Sequence, residues 1–220
     1  MNYATLIKTI QSYVENDFPQ TLGDNGLTST QQLDTFIQQA EQRIYNSVQI
    51  LELRKNQTGT TTTDNAYLSV PSDWLANYSL AVVNPTTGAY TSLYTKDVNF
   101  IREAFPISGT TGEPTHYAMF DADTILLGPT PDQAYTVEIH YFYYPTTIVS
   151  ASTTWLGDNF DSVLLYGSLL EAYAFMKGET DIIMVYKNQY DTALAMLKQL
   201  AEGKNRQDTF TTLQTRQEVA

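Results

Sequence analysis

Two pairs of side chains in this sequence have the types and spacing that could support catalysis or cation binding. Glu138 and His140 lie two positions apart in "TVEIHYFYYP", so on a strand they would share one face and could act as an acid–base pair. Asp121 and Asp123, in "FDADTILLG", alternate as carboxylates do in calcium loops, but no third acidic ligand and no closing glutamate follows. We therefore expect a cross-strand polar pair at Glu138 and a tight turn at Asp121.

Larger catalytic and cofactor motifs are missing from the sequence. It has no "GxSxG", no "GxxxxGK[ST]", no "HExxH" and no cysteine, and its two histidines are His116 and His140. The glycines of "GTTGEP" have neither the lysine nor the following helix of a phosphate loop, which predicts a turn. We predict no catalytic residues, no metal site and no cofactor, and hence a protein that is not an enzyme.

The charge balance limits the possible partners. The chain of 220 residues carries 24 acidic and 12 basic residues, a net charge of −12, which repels phosphate backbones and disfavours specific DNA binding. The longest apolar run, Val163 to Met176, contains Glu171 and is shorter than the roughly 20 residues of a membrane-spanning helix. The N-terminus lacks a basic segment followed by an apolar run, so we expect no secretory signal and no membrane partner.

Two helices are predicted at the N-terminal end. The first has an apolar stripe, and the second has Ser29 as its N-cap with Gln32 bonding back to it. The first stripe is Tyr3, Leu6, Ile7, Ile10, Tyr13 and Val14. The buried side of the second helix is Leu33, Phe36, Ile37, Ala40, Ile44 and Val48.

Short strands are predicted in the middle of the chain. From about Asn56 the composition changes to threonine, glycine and tyrosine, with "NQTGTTTTDN" as a loop or hairpin. Candidate strands are "YSLAVV", "YTSLY", "THYAMF", "TILLG" and "YTVEIHYFYY". The segment "TKDVNFIREAFP" predicts a short helix capped by Thr95. These segments together favour an antiparallel β-region.

Two more helices are predicted after this β-region. Asp158 is the expected cap of a helix so apolar that it must lie centrally among other helices or subunits. Gly178 is expected at its left-handed C′ position. A fourth helix from about Asp181 to Glu202 is expected to stop at Gly203, followed by a polar tail that cannot stay folded alone.

The predicted fold class is α+β, with a helical bundle formed by the N- and C-terminal helices, an inserted antiparallel β-domain and an extended C-terminal arm. The predicted segments are 1–55 for the N-terminal helices, 56–148 for the β-domain, 149–203 for the C-terminal helices and 204–220 for the arm. In the last strand, Val137, Ile139, Tyr141 and Tyr143 share one face. The opposite face becomes apolar at Phe142 and Tyr144, which we expect at a seam between domains or subunits.

Several segments taken together resemble one known family. They are "RIY", "LRK", "YLSVPSDWL", "FIREAFP", "GEPTHYAMFD", "ILLGPTPD", "YTVEIHYFYYP", "TWLGDNFDSVLLYGSLLEAYAFMKGE" and "LAEGKNRQDTF". In order and spacing, from about Arg43 to Phe210, the chain resembles the adaptor (head-to-tail connector) proteins of tailed bacteriophages.

The resemblance implies a structural virion protein at the head–tail junction, made in the host cytoplasm. It implies a homo-oligomeric ring of twelve copies that joins the portal protein to the tail or tail nozzle, with genomic DNA passing through the channel without specific binding. A C-terminal arm would contact the portal, and the matching positions indicate Arg206, Phe210, Leu213 and Arg216. We expect the protein to be monomeric before assembly.

Two other functions remain open from the sequence. The many tyrosines of the β-region could serve a tail-associated carbohydrate- or receptor-binding module. A phage cell-wall hydrolase could use a carboxylate pair such as Glu113 and Asp121.

Overall fold

The computed structural model describes residues 1–19, 26–107 and 109–217, with side chains described as far as Gly203. The chain divides into two compact units. The helical unit is Met1–Glu52 with Pro145–Ala220, and the β-unit is Leu53–Tyr144. The units meet in sequence at 52/53 and 144/145, whereas the predicted boundaries are at 55/56 and 148/149.

The first two helices of the helical unit are α1, Tyr3–Val14, and α2, Ser29–Ser47. The six residues predicted on the buried side of α2 are all buried, which confirms that stripe. The predicted cap of α2 was one residue off. Thr28 is the N-cap and closes a capping box with Gln31, while Gln32 is buried and donates to the carbonyls of Pro19 and Leu27, both at 3.0 Å.

In the described residues four helices follow the β-unit: α4, Ile148–Ala151, α5, Trp155–Asn159, α6, Asp161–Met176, and α7, Thr180–Gln217. The prediction of one helix capped by Asp158 was wrong, because Thr154 caps α5 and a break at Phe160 separates it from α6. Gly178 was also placed wrongly. Lys177 takes the left-handed position, and a side chain at Gly178 would collide with the ring of Tyr173.

The helix α6 is central, as its composition predicts. It contacts α1, α2, α5 and the last helix, α7, all of the same unit, so neighbours within this chain bury most of it. Its fully buried side chains include Val163, Leu164 and Leu169.

The last helix differs from the prediction, which ended it at Gly203 and continued the chain as an extended arm. α7 runs over Thr180–Gln217, so the backbone stays helical from 204 to 217. Gly203 is not in the left-handed region and has open space around its Cα, so it costs the helix about 1 kcal/mol of propensity without ending it.

The described residues of the β-unit form two four-stranded sheets and a two-stranded pair. The first sheet has the order β1-β10-β3-β4, and the second has the order β2-β8-β7-β5. The strands are β1, Arg54–Thr60; β2, Tyr67–Ser69; β3, Ala76–Val83; β4, Tyr90–Ser92; β5, Tyr94–Thr95; β6, Thr111–Gly112; β7, His116–Met119; β8, Thr124–Gly128; β9, Thr130–Pro131; and β10, Thr136–Phe142.

The sheets differ from the prediction in two respects. Two short pairings, β5 with β7 and β6 with β9, are parallel, whereas the remaining pairings are antiparallel. The segment predicted as a loop or hairpin supplies β1, which pairs with β10 in continuous register from Arg54 opposite Phe142 to Thr60 opposite Thr136. Long-range pairing with β10 makes this polar, threonine-rich segment a strand.

One buried cluster joins the apolar faces of the two sheets. It contains Leu80 and Val82 of β3, Ile139 and Tyr141 of β10, and Ile125 of β8, among others. The short helix α3, Val98–Ala104, packs on the other face of the second sheet through Ile101. Its cap is Asp97, which accepts from the backbone N–H of Asn99, and the predicted cap Thr95 lies in β5 instead.

Candidate interaction surfaces

The predicted acid–base pair, Glu138 and His140, lies on one strand, β10, and Glu138 forms its cross-strand polar contact with Asn56 of β1. The Glu138 Oε1 lies 3.2 Å from the His140 Nε2 and accepts from the Asn56 side chain at 2.6 Å. The bond from Asn56, followed by that to His140, holds the pKa of the Glu138 carboxyl below its ordinary value. A carboxylate whose charged form is stabilised in this way is a weak proton acceptor.

The carboxylates considered for cation binding and hydrolysis hold loops in place. Asp121 accepts from the backbone N–H of Asp123 at 2.9 Å, in the tight turn between β7 and β8, which confirms the turn. Glu113 accepts from Asn84 at 3.0 Å and from the Thr91 hydroxyl at 2.5 Å. Within the described ranges no group of three potential metal-ligating side chains occurs, and no helix is long and apolar enough to cross a membrane.

The outer face of the first sheet carries a cluster of one cation and two rings. The Arg54 guanidinium lies 4.2 Å from the centroid of the Tyr78 ring and 5.6 Å from that of Phe142, and the two rings meet edge to face at 6.0 Å. The half-buried Phe142 thus has partners within its own unit. Tyr144 is 41% exposed at the end of the unit. Their role at a seam stays a prediction.

The outer edge of β1 presents unpaired backbone groups. The Leu53 carbonyl accepts from the Tyr143 N–H, and the Thr61 N–H donates to the Tyr135 carbonyl, both at 2.9 Å. Because alternate residues of an antiparallel strand face the same neighbour, the odd positions from 53 to 61 bond towards β10. Arg54, Asn56, Thr58 and Thr60 therefore direct their N–H and C=O groups away from β10. In the described part of the chain no strand pairs with that edge.

The opposite edge of the same sheet is β4, and the same argument applies. The Asn84 N–H donates to the Ala89 carbonyl, and the Leu93 N–H donates to the Leu80 carbonyl, both at 2.9 Å. Residues 89, 91 and 93 thus face β3, so Tyr90 and Ser92 direct their backbone groups outward. The Tyr90 side chain is 68% exposed.

A polar network fixes the start of β1 to the core. The Asp73 carboxylate accepts from the Tyr141 hydroxyl at 2.8 Å and pairs with the Lys55 ammonium at 2.7 Å. These two bonds lower the pKa of Asp73, with Lys55 as the larger cause. Burial, followed by the bond to Asp73, raises the pKa of the Tyr141 hydroxyl. The Lys55 side chain is thereby held beside the open edge.

The helical unit has a second apolar row on α7. Tyr190, Leu197 and Ala201 are buried, whereas Val185, Met196 and Leu200 are exposed on another side of the same helix. The four predicted portal contacts, Arg206, Phe210, Leu213 and Arg216, lie on the helical backbone beyond this row. Their side chains are outside the described residues.

A buried carboxylate, Glu41 of α2, fixes the start of α4. It accepts from the Thr147 hydroxyl and, at 3.0 Å, from the Ile148 N–H. Burial raises the pKa of this carboxyl, and the bonds from Thr147 and Ile148 offset part of the effect. Glu41 thus contributes to the fold of the helical unit and is 3% exposed.

Sequence reasoning missed the open edge of β1 and the roles of Arg54 and Glu41. The basic pair "RK" at the head of a β-branched polar segment was an available signal for an edge strand. Glu41 gave no such signal, since a glutamate in "QQAEQRIY" fits an exposed helical position equally well.

Comparison with models of protein families gives a match over nearly the whole chain. The family model described as SU10 adaptor protein matches residues 1–216. No curated protein sequence matches the chain.

Proposed function

The chain belongs to the SU10 adaptor protein family, a family of phage head–tail adaptors, and on that premise we propose that it forms the ring that joins the portal to the tail or tail nozzle. The observation that carries the proposal is the match of one family model to residues 1–216, which spans both units. The protein is a phage structural adaptor; the ring of twelve copies, the portal contact and the DNA exit channel are the finer proposal.

The surfaces of the chain support an assembly role. Both edges of the first sheet carry unpaired backbone groups, and Val185, Met196 and Leu200 expose apolar side chains on α7. Such features suit contacts with other chains. The net charge of −12 suits a ring through which DNA passes without specific binding, because like charges do not attract.

We assign the portal contact to the C-terminal segment, residues 204 to 220. Among the side chains of α7 that the structure describes, the buried ones, Tyr190, Leu197 and Ala201, all precede this segment, so its deletion leaves them in place. We expect the truncated chain to remain folded and monomeric and to lose binding to the portal, as measured by sedimentation with and without portal. Undiminished docking of the truncated chain would refute this assignment.

Particles made without this protein test the adaptor role itself. We expect DNA-filled heads without tails in electron micrographs, because an adaptor is needed before a tail can attach. Complete particles that fail only at infection would instead favour the receptor-binding alternative. That alternative has one favourable observation, the exposure of the Tyr90 and Tyr94 rings on the β-unit, and it predicts saturable glycan binding that is lost when both are changed to alanine.

A further inference from the structure

We propose that the first sheet continues from one copy of the chain to the next, with the outer edge of β1 accepting the β4 edge of a neighbouring copy. This inference rests on the proposed ring and specifies one of its contacts. The partner must offer an extended backbone, because an edge with unpaired N–H and C=O groups is completed by another strand.

The outer edge of β1 is accessible to a further strand. Every position of β1 after Arg54 is exposed. Its register with β10 has no bulge, and the strand contains no proline. Bulges, prolines and charged side chains are devices by which proteins protect an edge from pairing, and the charges of β1 are confined to Arg54 and Lys55 at its start. The outward backbone groups of Arg54, Asn56, Thr58 and Thr60 therefore remain available.

The strand directions favour a head-to-tail joint. The three pairings within the sheet are all antiparallel, so the two edge strands, β1 and β4, run in opposite directions. If the next copy is related by rotation about an axis along the strands, its β1 is antiparallel to β4. Repetition of this contact closes a ring, whereas pairing of β1 with a second β1 would give a two-fold dimer.

The pairing of the two edges is also complementary in charge. We place the shorter edge, β4, at the centre of the longer edge, β1. In this register Ser92 lies opposite Asn56, and Tyr90 lies opposite Thr58. Lys55, whose ammonium pairs with Asp73 of its own chain, then lies diagonally opposite Thr91, whose hydroxyl donates to the Glu113 carboxylate. Glu113 forms no ion pair with the side chains that the structure describes, and β1 contains two basic residues and no acidic residue.

The position of Thr58 allows a test that leaves the fold intact. Its N–H points away from β10, so Thr58→Pro removes no bond of the sheet but blocks addition of a strand. Thr58→Val keeps the N–H and the β-branched shape and is the matched control. Ser92→Pro does the same at the β4 edge.

The assay adds the purified full-length chain to DNA-filled heads prepared without it and measures the copies bound per head. Thr58→Val should bind as the wild type does, whereas Thr58→Pro and Ser92→Pro should each lower the bound copies by on the order of tenfold or more. Failure of the wild type to bind would count against the proposed function. Normal binding of both proline variants would overturn the sheet contact alone, and an effect of Thr58→Pro without one of Ser92→Pro would overturn β4 as the partner.

Hydrogen exchange provides a second measurement, which needs no variant. Amides of residues 54–60 in the wild type should exchange on the order of tenfold more slowly in the assembled ring than in the isolated chain, because the outward N–H groups become bonded. Equal exchange rates in the two states would overturn the inference even if a proline variant failed to fold.

Discussion

The helical unit and the β-unit satisfy their structural requirements in different ways. In the helical unit the most apolar segment, α6, is enclosed by α1, α2, α5 and α7 of the same chain. In the β-unit a polar strand, β1, is left with one edge unpaired in the portion that the structure describes. The comparison teaches that apolar content does not locate a subunit contact by itself. Here the unpaired groups are the outward N–H and C=O groups of the hydrophilic strand β1.

The largest expected effect concerns the enclosed core of the helical unit. Leu164→Ala removes a side chain that is 0% exposed and should lower the free energy of unfolding by about 3 kcal/mol or more, through lost burial and a residual cavity. Urea denaturation measures it. Met196→Ala, at a side chain that is 61% exposed, should change stability by less than about 0.5 kcal/mol. Equal losses of stability at the two positions would show that α6 is not enclosed by the other helices of its unit.

A second change tests how closely the helices around α6 pack. A Cβ at Gly167 would lie 3.2 Å from both the Ala40 Cβ and the Tyr190 Cε2, so Gly167→Val should destabilise the chain by about 2 to 3 kcal/mol through overpacking. Thermal unfolding monitors it. Gly203→Ala is the control, since the added methyl group meets nothing and should stabilise α7 by about 0.5 to 1 kcal/mol. An unchanged melting temperature for Gly167→Val would mean that α6 does not pack closely against α2 and α7.

A third change concerns the buried carboxylate of the helical unit. Glu41→Ala leaves the Thr147 hydroxyl and the Ile148 N–H without their acceptor and should cost about 2 kcal/mol, whereas Glu41→Gln keeps an acceptor oxygen and should cost less.

The pH dependence of this position has a definite sign. Because the pKa of Glu41 is raised in the folded state, the stability contributed by its protonated form is complete below its ordinary pKa of 4.5 and is lost as the pH rises through the folded value. Wild type should therefore lose stability relative to Glu41→Gln between acidic and neutral pH. Parallel pH profiles of the two proteins would contradict the raised pKa.

The smallest expected effect concerns the polar network beside β1. Tyr141→Phe removes the hydroxyl that donates to Asp73 and should lower stability by about 1 kcal/mol, since the buried ring stays in place. Tyr143→Phe, at the partly buried residue just after β10, is the matched control and should cost less. A loss at Tyr141 as large as that of Leu164→Ala would show that the β-unit depends on this network as much as the helical unit depends on its core.

Much of the fold could be predicted from sequence because periodicity reflects burial directly. The stripe of α2 and the alternation of Val137, Ile139 and Tyr141 in β10 are confirmed by their burial. Cap positions were less predictable, as Thr28, Asp97 and Thr154 show, because several adjacent polar residues can serve and packing selects among them. Gly203 was misread because a glycine permits a helix end without requiring one.

The candidate surfaces were less accessible to sequence reasoning. The position of β1 at an edge depends on its pairing with β10, far away in the chain, and nothing in "RKNQTGT" states how many neighbours that strand will have. The same applies to Glu41, whose burial results from the return of the chain at Thr147 after the β-unit.

The sequence by itself determined most of the helical and extended segments, the acidic charge, the apolar stripe of α2 and the likeness to phage adaptors, because these depend on local pattern and composition. The tertiary structure decided which elements are enclosed and which remain open. It placed α6 among the helices of its own unit and left β1 at an edge, since burial and strand pairing depend on contacts between residues that are distant in the chain.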